Sequence, residues 1–349
     1  MKRVLILCGG QSPEHQISIR SCKNILKAID REEHSVTVIG ISREGRWLLQ
    51  DEADLGDEIT IKGVDVEIRP GRQDCFYSHG NSLGTFDVIF PILHGPNGED
   101  GAMQGLFQLL GIPFVGCGLL SSAASMDKDF TKRLLRDGGV GVAKWITLLN
   151  ESDAPSFTEV VEQLSEVVFV KPANMGSSVG VSRVSNEAEW HAAIEEAFGY
   201  DSKVLVEESI AGKELECAVI GNGAPKASGV GEVKSGNFYS YEEKYEAQSE
   251  AQVIIPADID SKYLPDLKKT AINAYKILDC SGMSRVDMFL TDTGEIYVNE
   301  INTIPGFTSI SMYPKLWEVE GLGYTELITE LISLANEDQS NQFIDISLG

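Results

Sequence analysis

The chain has 349 residues, 42 % of them hydrophobic and 23 % charged, the balance of a soluble globular protein long enough for two or three domains. Its 53 acidic residues outnumber 29 basic ones, a net charge of −24 that argues against nucleic acid and anionic membrane as partners. No apolar run reaches the length of a membrane span and the apolar start of MKRVLILCGG stops at glycines rather than in a signal-peptide pattern, so a cytoplasmic location is expected.

In chain order, Val4 to Cys8 reads as a short buried strand broken by Gly9-Gly10. Ser12 and Pro13 have the character of an N-cap and first helical residue, and Ile17, Cys22, Ile25, Leu26 and Ile29 recur at helical spacing. A strand at 35–41, a polar stretch of undefined structure at 50–84, a strand at 86–93, a helix at 102–110 and a short strand around Phe114 complete a parallel α/β unit. The middle of the chain predicts a helix at 121–136, strands at 167–170 and 181–184, a helix at 186–198 and a strand at 203–207. The last part predicts strands at 215–220 and 229–232, a polar aromatic loop at 235–251, a helix at 266–278, a hairpin at 285–302 and a closing helix at 324–335. The six cysteines follow no CxxC or metal-ligand spacing and read as reduced core residues.

The hairpin can be counted. With Thr293 and Gly294 as a two-residue turn, Asp292 pairs with Glu295, Asp287 faces Glu300 and Arg285 faces Asn302, all four of the latter on one face. Two facing carboxylates about 5 Å apart repel each other. Either Arg285 neutralises them in a solvated hairpin, or a divalent cation takes Asp287, Glu300 and the Asn302 amide as hard oxygen ligands.

Other segments carry polar groups at strand ends. Glu14, following the Gly9-Gly10 break, suits a substrate ammonium or the helix dipole alone; the segment is not a GxGxxG fingerprint. His94 opens the glycine-rich HGPNGEDG loop. Lys171 ends a strand and leads into a Gly-Ser-Ser-Val-Gly turn whose amides and lysine suit a triphosphate, although the spacing is not that of a P-loop. The strand 204–207 ends in Glu207 and Glu208, with Glu214 beyond; an adenine edge can pair with such a backbone and a ribose with such a carboxylate.

Taken in order, SPEHQIS (12–18), HGPNGEDG (94–101), SMDKDFTKRLL (125–135), VKPANMGSSVGVS (170–182), VEESIAGKELECAV (206–219), EEKY (242–245), RVDMF (285–289) and NEINTIPGFTSISMYP (299–314) resemble the ATP-grasp superfamily and, more closely, the D-alanine:D-alanine ligases. The resemblance implies an α/β protein, α+β in its ATP-binding part. It has a Rossmann-like parallel-sheet domain at 1–125, a central ATP-grasp subdomain at 126–212 and a C-terminal mixed-sheet domain at 213–349. ATP would lie between the last two, with Lys128, Lys171, Ser177 and Lys244 near its phosphates, Glu207, Glu208 and Ile210 at the adenine and Glu214 at the ribose. Asp287, Glu300 and Asn302 would hold Mg²⁺ or Mn²⁺, two ions in this family.

The implied reaction converts one D-alanine to an acyl phosphate, which the amine of a second attacks, as peptidoglycan synthesis requires. Glu14 and His94 would lie at the first substrate, Ser311 and Met312 at the second, and Arg285 with the Gly306 amide at the oxyanion. Tyr245, in a mobile lid at 235–251, would close a network with Ser177 and Glu14. The family also implies a homodimer through the N-terminal domain. The pocket around Ser311 and Met312 leaves D-serine open as second substrate, and a nicotinamide-dependent dehydrogenase is an alternative of another class.

Overall fold

The computed structural model describes residues 1–61, 63–234 and 252–342. The expected lid, with Lys244 and Tyr245, and the polar tail beyond Gln342 lie outside the described residues.

Strand β1 (Lys2–Gly9) is apolar on both faces because both are covered: Val4, Ile6 and Cys8 enter one core cluster, Leu5 and Leu7 another. It pairs in parallel with β2 (His34–Ile41) and with a later strand at Val88–Pro91. The polar stretch left undefined by its composition extends this sheet. β3 (Trp47–Gln50), β4 (Val64–Ile68), β5 (Phe76–Ser78) and β6 (Asn81–Ser82) add to β2 in antiparallel steps, and β7 is the Val88–Pro91 strand, giving the order β6-β5-β4-β3-β2-β1-β7. Around Phe114 the expected strand is a single parallel bridge to Ile89.

Helix α1 (His15–Ala28) starts later than Ser12-Pro13 suggests. Ser12 closes a turn of its own, its Oγ accepting from the Glu14 N–H at 3.1 Å and its carbonyl from His15 at 3.2 Å, so Glu14 takes the N-cap position. After α2 (Ala102–Leu110), the expected helix at 121–136 is two helices, α3 (Leu119–Met126) and α4 (Lys128–Asp137). Asp127 causes the break: its carboxylate accepts from the Asp129 and Phe130 amides and caps α4.

The central sheet, wholly antiparallel, has the order β10-β9-β11-β8. Its strands are β8 (Trp145–Leu148), β9 (Val168–Pro172), β10 (Ser182–Val184) and β11 (Val204–Glu208), and α5 (Phe157–Gln163) and α6 (Glu187–Tyr200) pack on it around Trp190. The third sheet, β14-β13-β12-β15-β16, comprises β12 (Lys213–Ile220), β13 (Lys226–Lys234), β14 (Gln252–Ile254), β15 (Met283–Leu290) and β16 (Ile296–Asn302), covered by α7 (Leu264–Ile277). Then α8 (Met312–Val319) and α9 (Tyr324–Gln342) return to the first sheet, where Leu327, Ile328, Leu331 and Ile332 share the cluster of Val4 and Ile6. All six cysteines are buried and unbridged, as expected of core residues.

In the hairpin, Arg285 faces Asn302 and Asp287 faces Glu300, as counted, but the turn is different. Thr291, not Asp292, pairs with Glu295: the Thr291 amide donates to the Glu295 carbonyl and the Gly294 amide to the Thr291 carbonyl, each at 3.0 Å. The loop therefore has three residues, Asp292 to Gly294, ending on Gly294 at φ +88°. The extra loop residue shifts the register by one. A bulge at Asn299, between the Met288–Val298 and Asp287–Glu300 pairs, shifts it back.

Candidate active site

Two cavities, of about 580 and about 450 Å³, open between the sheets and meet at Ser177, Glu216, Arg285 and Glu300. The larger is lined by Lys128, Lys171, Ser177, Glu207, Glu208, Ile210, Glu214 and Asp287, with apolar walls from Ala143, Phe169, Val181 and Phe289. The smaller is lined by Glu14, His94, Asn302, Gly306, Ser311 and Met312. Every site residue expected from the sequence is thus brought to one of two adjoining cavities, except Lys244 and Tyr245, which lie outside the described residues.

At the junction, Arg285 grips Asp287 through both ends of its fork, Nε and Nη2 each donating at 2.7 Å. Its Nε is also 3.0 Å from Glu216. Burial alone would favour the neutral guanidine, but Asp287 and Glu216 outweigh it and hold Arg285 charged. Asn302 Nδ2 donates to Asp287 at 3.0 Å. Glu216 on β12 faces Asp287 on β15, which faces Glu300 on β16, so three carboxylates lie abreast across three strands. Among the described residues no three His, Cys, Asp or Glu side chains converge closely enough to enclose a metal ion by themselves. The donor set of Asp287, Glu300 and the Asn302 amide fits a hard divalent cation that takes its remaining ligands from water and a bound phosphate.

The turn after β9 crosses to α1. Ser177 and Ser178 both have positive φ, +52° and +61°, a conformation unfavourable for any residue with a Cβ. It delivers Ser177 Oγ to the Glu14 carboxylate, which is buried at the start of α1. Glu14 reaches that place because the chain reverses tightly after β1 at Gly9, φ +90°, where a Cβ would stand 2.3 Å from the Ile41 carbonyl oxygen.

Lys171 Nζ contacts Glu207 at 2.8 Å, and Lys132 Nζ reaches the same carboxylate oxygen at 3.4 Å. Burial would push the Glu207 carboxyl up, but the two ammonium groups, with Lys128 more distant, hold it down to about 2. Lys128 donates to the Met175 carbonyl at 2.5 Å, and burial lowers its pKa. His94 is buried, its Nδ1 donating to the Ile304 carbonyl at 3.0 Å; burial lowers its pKa and keeps the ring neutral at pH 7. Ser311 stands at the N-cap position of α8 without capping it, its Oγ accepting instead from the Thr308 amide at 2.9 Å.

Three residues of the site carried no separate signal in the sequence reading. Lys132 lies one helical turn beyond Lys128 on α4, a spacing that could have flagged it. Glu216 alternates with Glu214 on β12 and so shares its face. Glu99 lines the smaller cavity and accepts from the Gly95 amide at 2.8 Å; burial, then Glu14 and Glu300, raise its carboxyl to about 8.

Known proteins resemble this chain in sequence and in fold. The family models described as D-ala D-ala ligase N-terminus and D-ala D-ala ligase C-terminus match residues 3–117 and 134–333. A D-alanine–D-alanine ligase A from Chromobacterium violaceum is 49 % identical over 348 residues, covering 96 % of this chain and 95 % of that protein. A D-alanine–D-alanine ligase from Shouchella clausii is 48 % identical, with the same coverage of 96 % and 95 %. The structure of the D-alanine–D-alanine ligase from Coxiella burnetii superposes with a TM-score of 0.87 at 39 % identity, covering 98 % of this chain and 95 % of that one. The VanG D-Ala:D-Ser ligase from Enterococcus faecalis also gives 0.87, at 38 % identity and coverage of 96 % and 99 %. A Bacillus anthracis D-alanine–D-alanine ligase complexed with ATP gives 0.76 at 27 % identity, covering 98 % and 100 %. Matched along nearly its whole length by both halves of one family and by relatives almost half identical to it, this chain belongs to the D-alanine–D-alanine ligase family.

Proposed function

We propose that the protein joins two D-alanines into D-alanyl-D-alanine for peptidoglycan synthesis, releasing ADP and phosphate through a D-alanyl phosphate. The observation that carries this reading is the meeting of two cavities at Ser177, Arg285 and Glu300, one suited to a nucleotide and the other to a small amino acid. ATP fits the larger: its apolar walls, which include Phe169 and Phe289, suit a planar base, with Glu207, Glu208 and Ile210 at the adenine and Glu214 at the ribose. Lys128 and Lys171 neutralise the phosphates, and Lys244 belongs with them. Mg²⁺ or Mn²⁺, as two ions, supplies charge neutralisation at the phosphates when bound to Asp287, Glu300 and Asn302.

In the smaller cavity Glu14 takes the ammonium of the first D-alanine, beside His94, and leaves its carboxylate facing the γ-phosphate. That carboxylate attacks phosphorus, and ADP departs. The amine of the second D-alanine, held at Ser311 and Met312, attacks the acyl carbon and loses a proton. The tetrahedral oxyanion is met by Arg285 and the Gly306 amide, and its collapse expels phosphate. Removing such a donor costs about 10²- to 10³-fold in rate. Ser177 and Tyr245 close the site with Glu14, keeping water from an acyl phosphate that it would hydrolyse.

The reading divides the chain at 1–125, 126–212 and 213–349, and takes the protein as a cytoplasmic homodimer paired through the first unit. Among the described residues no helix is long and apolar enough to cross a membrane. Because a D-Ala:D-Ser ligase superposes as well as a D-alanine–D-alanine ligase, the assay needs both acceptors. ADP and phosphate release are followed with ATP, Mg²⁺ and D-alanine alone, then with D-serine added, and the dipeptide is identified by mass. No ATP turnover on D-alanine refutes the reading; turnover only when D-serine is present transfers it to the mixed dipeptide. Sedimentation velocity reports the oligomer.

A further inference from the structure

A buried lysine needs an anion, because burial disfavours its charged form. Lys132 on α4 is 1 % exposed, and among the described residues its one ion pair is with Glu207, at 3.4 Å. The same Glu207 oxygen takes Lys171 Nζ at 2.8 Å. Lys171 on β9 faces Leu205 on β11, two residues before Glu207, so the Lys171 and Glu207 side chains leave the same face of the central sheet. Both line the larger cavity, whereas Lys132 does not. Its ammonium lies 6.0 Å from the centre of the Trp145 ring. That ring is fixed in turn by its Nε1, which donates to Asp129 at 2.8 Å and to Thr147 at 3.1 Å. Glu207 is thus held between two ammonium groups, one lining the cavity and one buried behind it.

One carboxylate and two ammonium groups leave a surplus positive charge, and Lys171 presents it to the cavity. A phosphate there draws the Lys171 ammonium away from Glu207. With no second cation, that movement would strand a buried carboxylate, among the most destabilising changes in a protein interior. Lys132 prevents this, because its ammonium already stands 3.4 Å from the oxygen that Lys171 leaves. Among the described residues, Lys132 Nζ and Glu207 Oε1 are both buried without a hydrogen-bond partner, so the pair has bonding capacity to spare when Lys171 departs. Lys128 does not fill this place, since it donates to the Met175 carbonyl. We propose that Lys132 is a positioning residue for the nucleotide, a standing counter-ion that holds the Glu207 carboxylate from behind and so releases Lys171 to a phosphate. This rests on ATP occupying the larger cavity, as in the ligase reading above.

The test compares the unaltered full-length protein with Lys132→Met, which removes the charge and keeps an apolar stem, and with Lys132→Met combined with Glu207→Gln. A non-hydrolysable ATP analogue with Mg²⁺, and adenosine alone, are titrated by calorimetry in the absence of amino acid. Lys132→Met weakens the analogue about 10- to 100-fold, the worth of one charged hydrogen bond at a phosphate, because Lys171 stays with Glu207. Adenosine has no phosphate and binds both proteins within about twofold, and the double variant recovers most of the loss because no carboxylate remains to retain Lys171. In turnover the ATP KM rises by the same factor, while the D-alanine KM at saturating ATP stays within about twofold. If Lys132→Met does not fold, a crystal structure of the unaltered protein with the analogue and Mg²⁺ decides. Lys171 Nζ is then expected beyond about 4 Å from Glu207 and on a phosphate oxygen, with Lys132 Nζ closed to about 2.8 Å. Unchanged analogue binding, an equal loss for adenosine, or a complex in which Lys171 keeps Glu207 and Lys132 is unmoved overturns the inference. A protein that binds the analogue but does not turn over D-alanine overturns the ligase reading and leaves the counter-ion standing.

Discussion

Ser177 Oγ donates to Glu14 Oε1 at 2.5 Å, linking the turn after β9 to the start of α1. These residues lie far apart in the chain, Glu14 following a strand of the first sheet and Ser177 a strand of the central one, so their contact ties the nucleotide side of the site to the amino-acid side. Glu14→Gln keeps an acceptor oxygen and removes the charge. It is expected to lower kcat/KM for D-alanine by about 10- to 100-fold, the worth of a charged hydrogen bond, with the fold unchanged by circular dichroism. A kcat/KM equal to that of the unaltered protein would show that Glu14 does not hold the ammonium.

Facing carboxylates at Asp287 and Glu300 predict a dependence on divalent cation. Chelation by EDTA should abolish ADP release, and added Mg²⁺ should restore it. Glu300→Gln should raise the Mg²⁺ concentration for half-maximal activity by about tenfold or more, because an amide is a weaker ligand than a carboxylate. A magnesium titration with an unchanged midpoint would remove Glu300 from the ligand set.

Glu207 sets a pH limit on stability. Its folded carboxyl lies at about 2 against an ordinary 4.5. A depressed acid contributes stability above its unfolded pKa and loses it as pH falls through the folded one, here between about 4.5 and about 2. The loss amounts to about 3 kcal/mol over that window. Urea midpoints measured from pH 5 to pH 2 should fall more steeply for the unaltered protein than for Glu207→Gln. The variant should already be destabilised at pH 7, because Lys132 and Lys171 then lose their shared anion.

Gly294 closes the three-residue loop of the metal-facing hairpin at φ +88°, and a Cβ there would stand 2.7 Å from the Tyr263 ring. Gly294→Ala is expected to cost about 1 to 3 kcal/mol in urea denaturation, since both the backbone conformation and the space oppose it. An unchanged midpoint would show that the loop relaxes into another turn.

The hairpin also shows how sequence counting can reach a right pairing by a wrong route. Counting from a two-residue turn set Asp287 against Glu300, and they do face each other. Val286 and Met288 alternate on β15, but on β16 the buried Val298 and Ile301 stand three apart, so the apolar residues do not fit the single register that counting assumes. The three-residue loop departs from that register, and the bulge at Asn299 restores it where the functional residues lie. The split at Asp127 was legible in principle, as an aspartate two and three residues before amides it could cap. The strands at 64–82 were not, because strands of five, three and two residues, of which only β5 is buried throughout, are too short to show apolar alternation.

The sequence by itself determined most of the elements, because glycines, strand-end polar residues and apolar periodicity are local consequences of backbone and side-chain geometry, and its ordered motifs carried the resemblance to the ligase family from which most candidate site residues were named. Only the tertiary structure decided which of those residues meet. It alone placed Glu216 beside Arg285, Lys132 beneath Glu207 and Ser177 against Glu14. It also sent α9 back to cover β1. Those relations depend on how three sheets pack, and packing is set by side chains distant in sequence that share one buried surface.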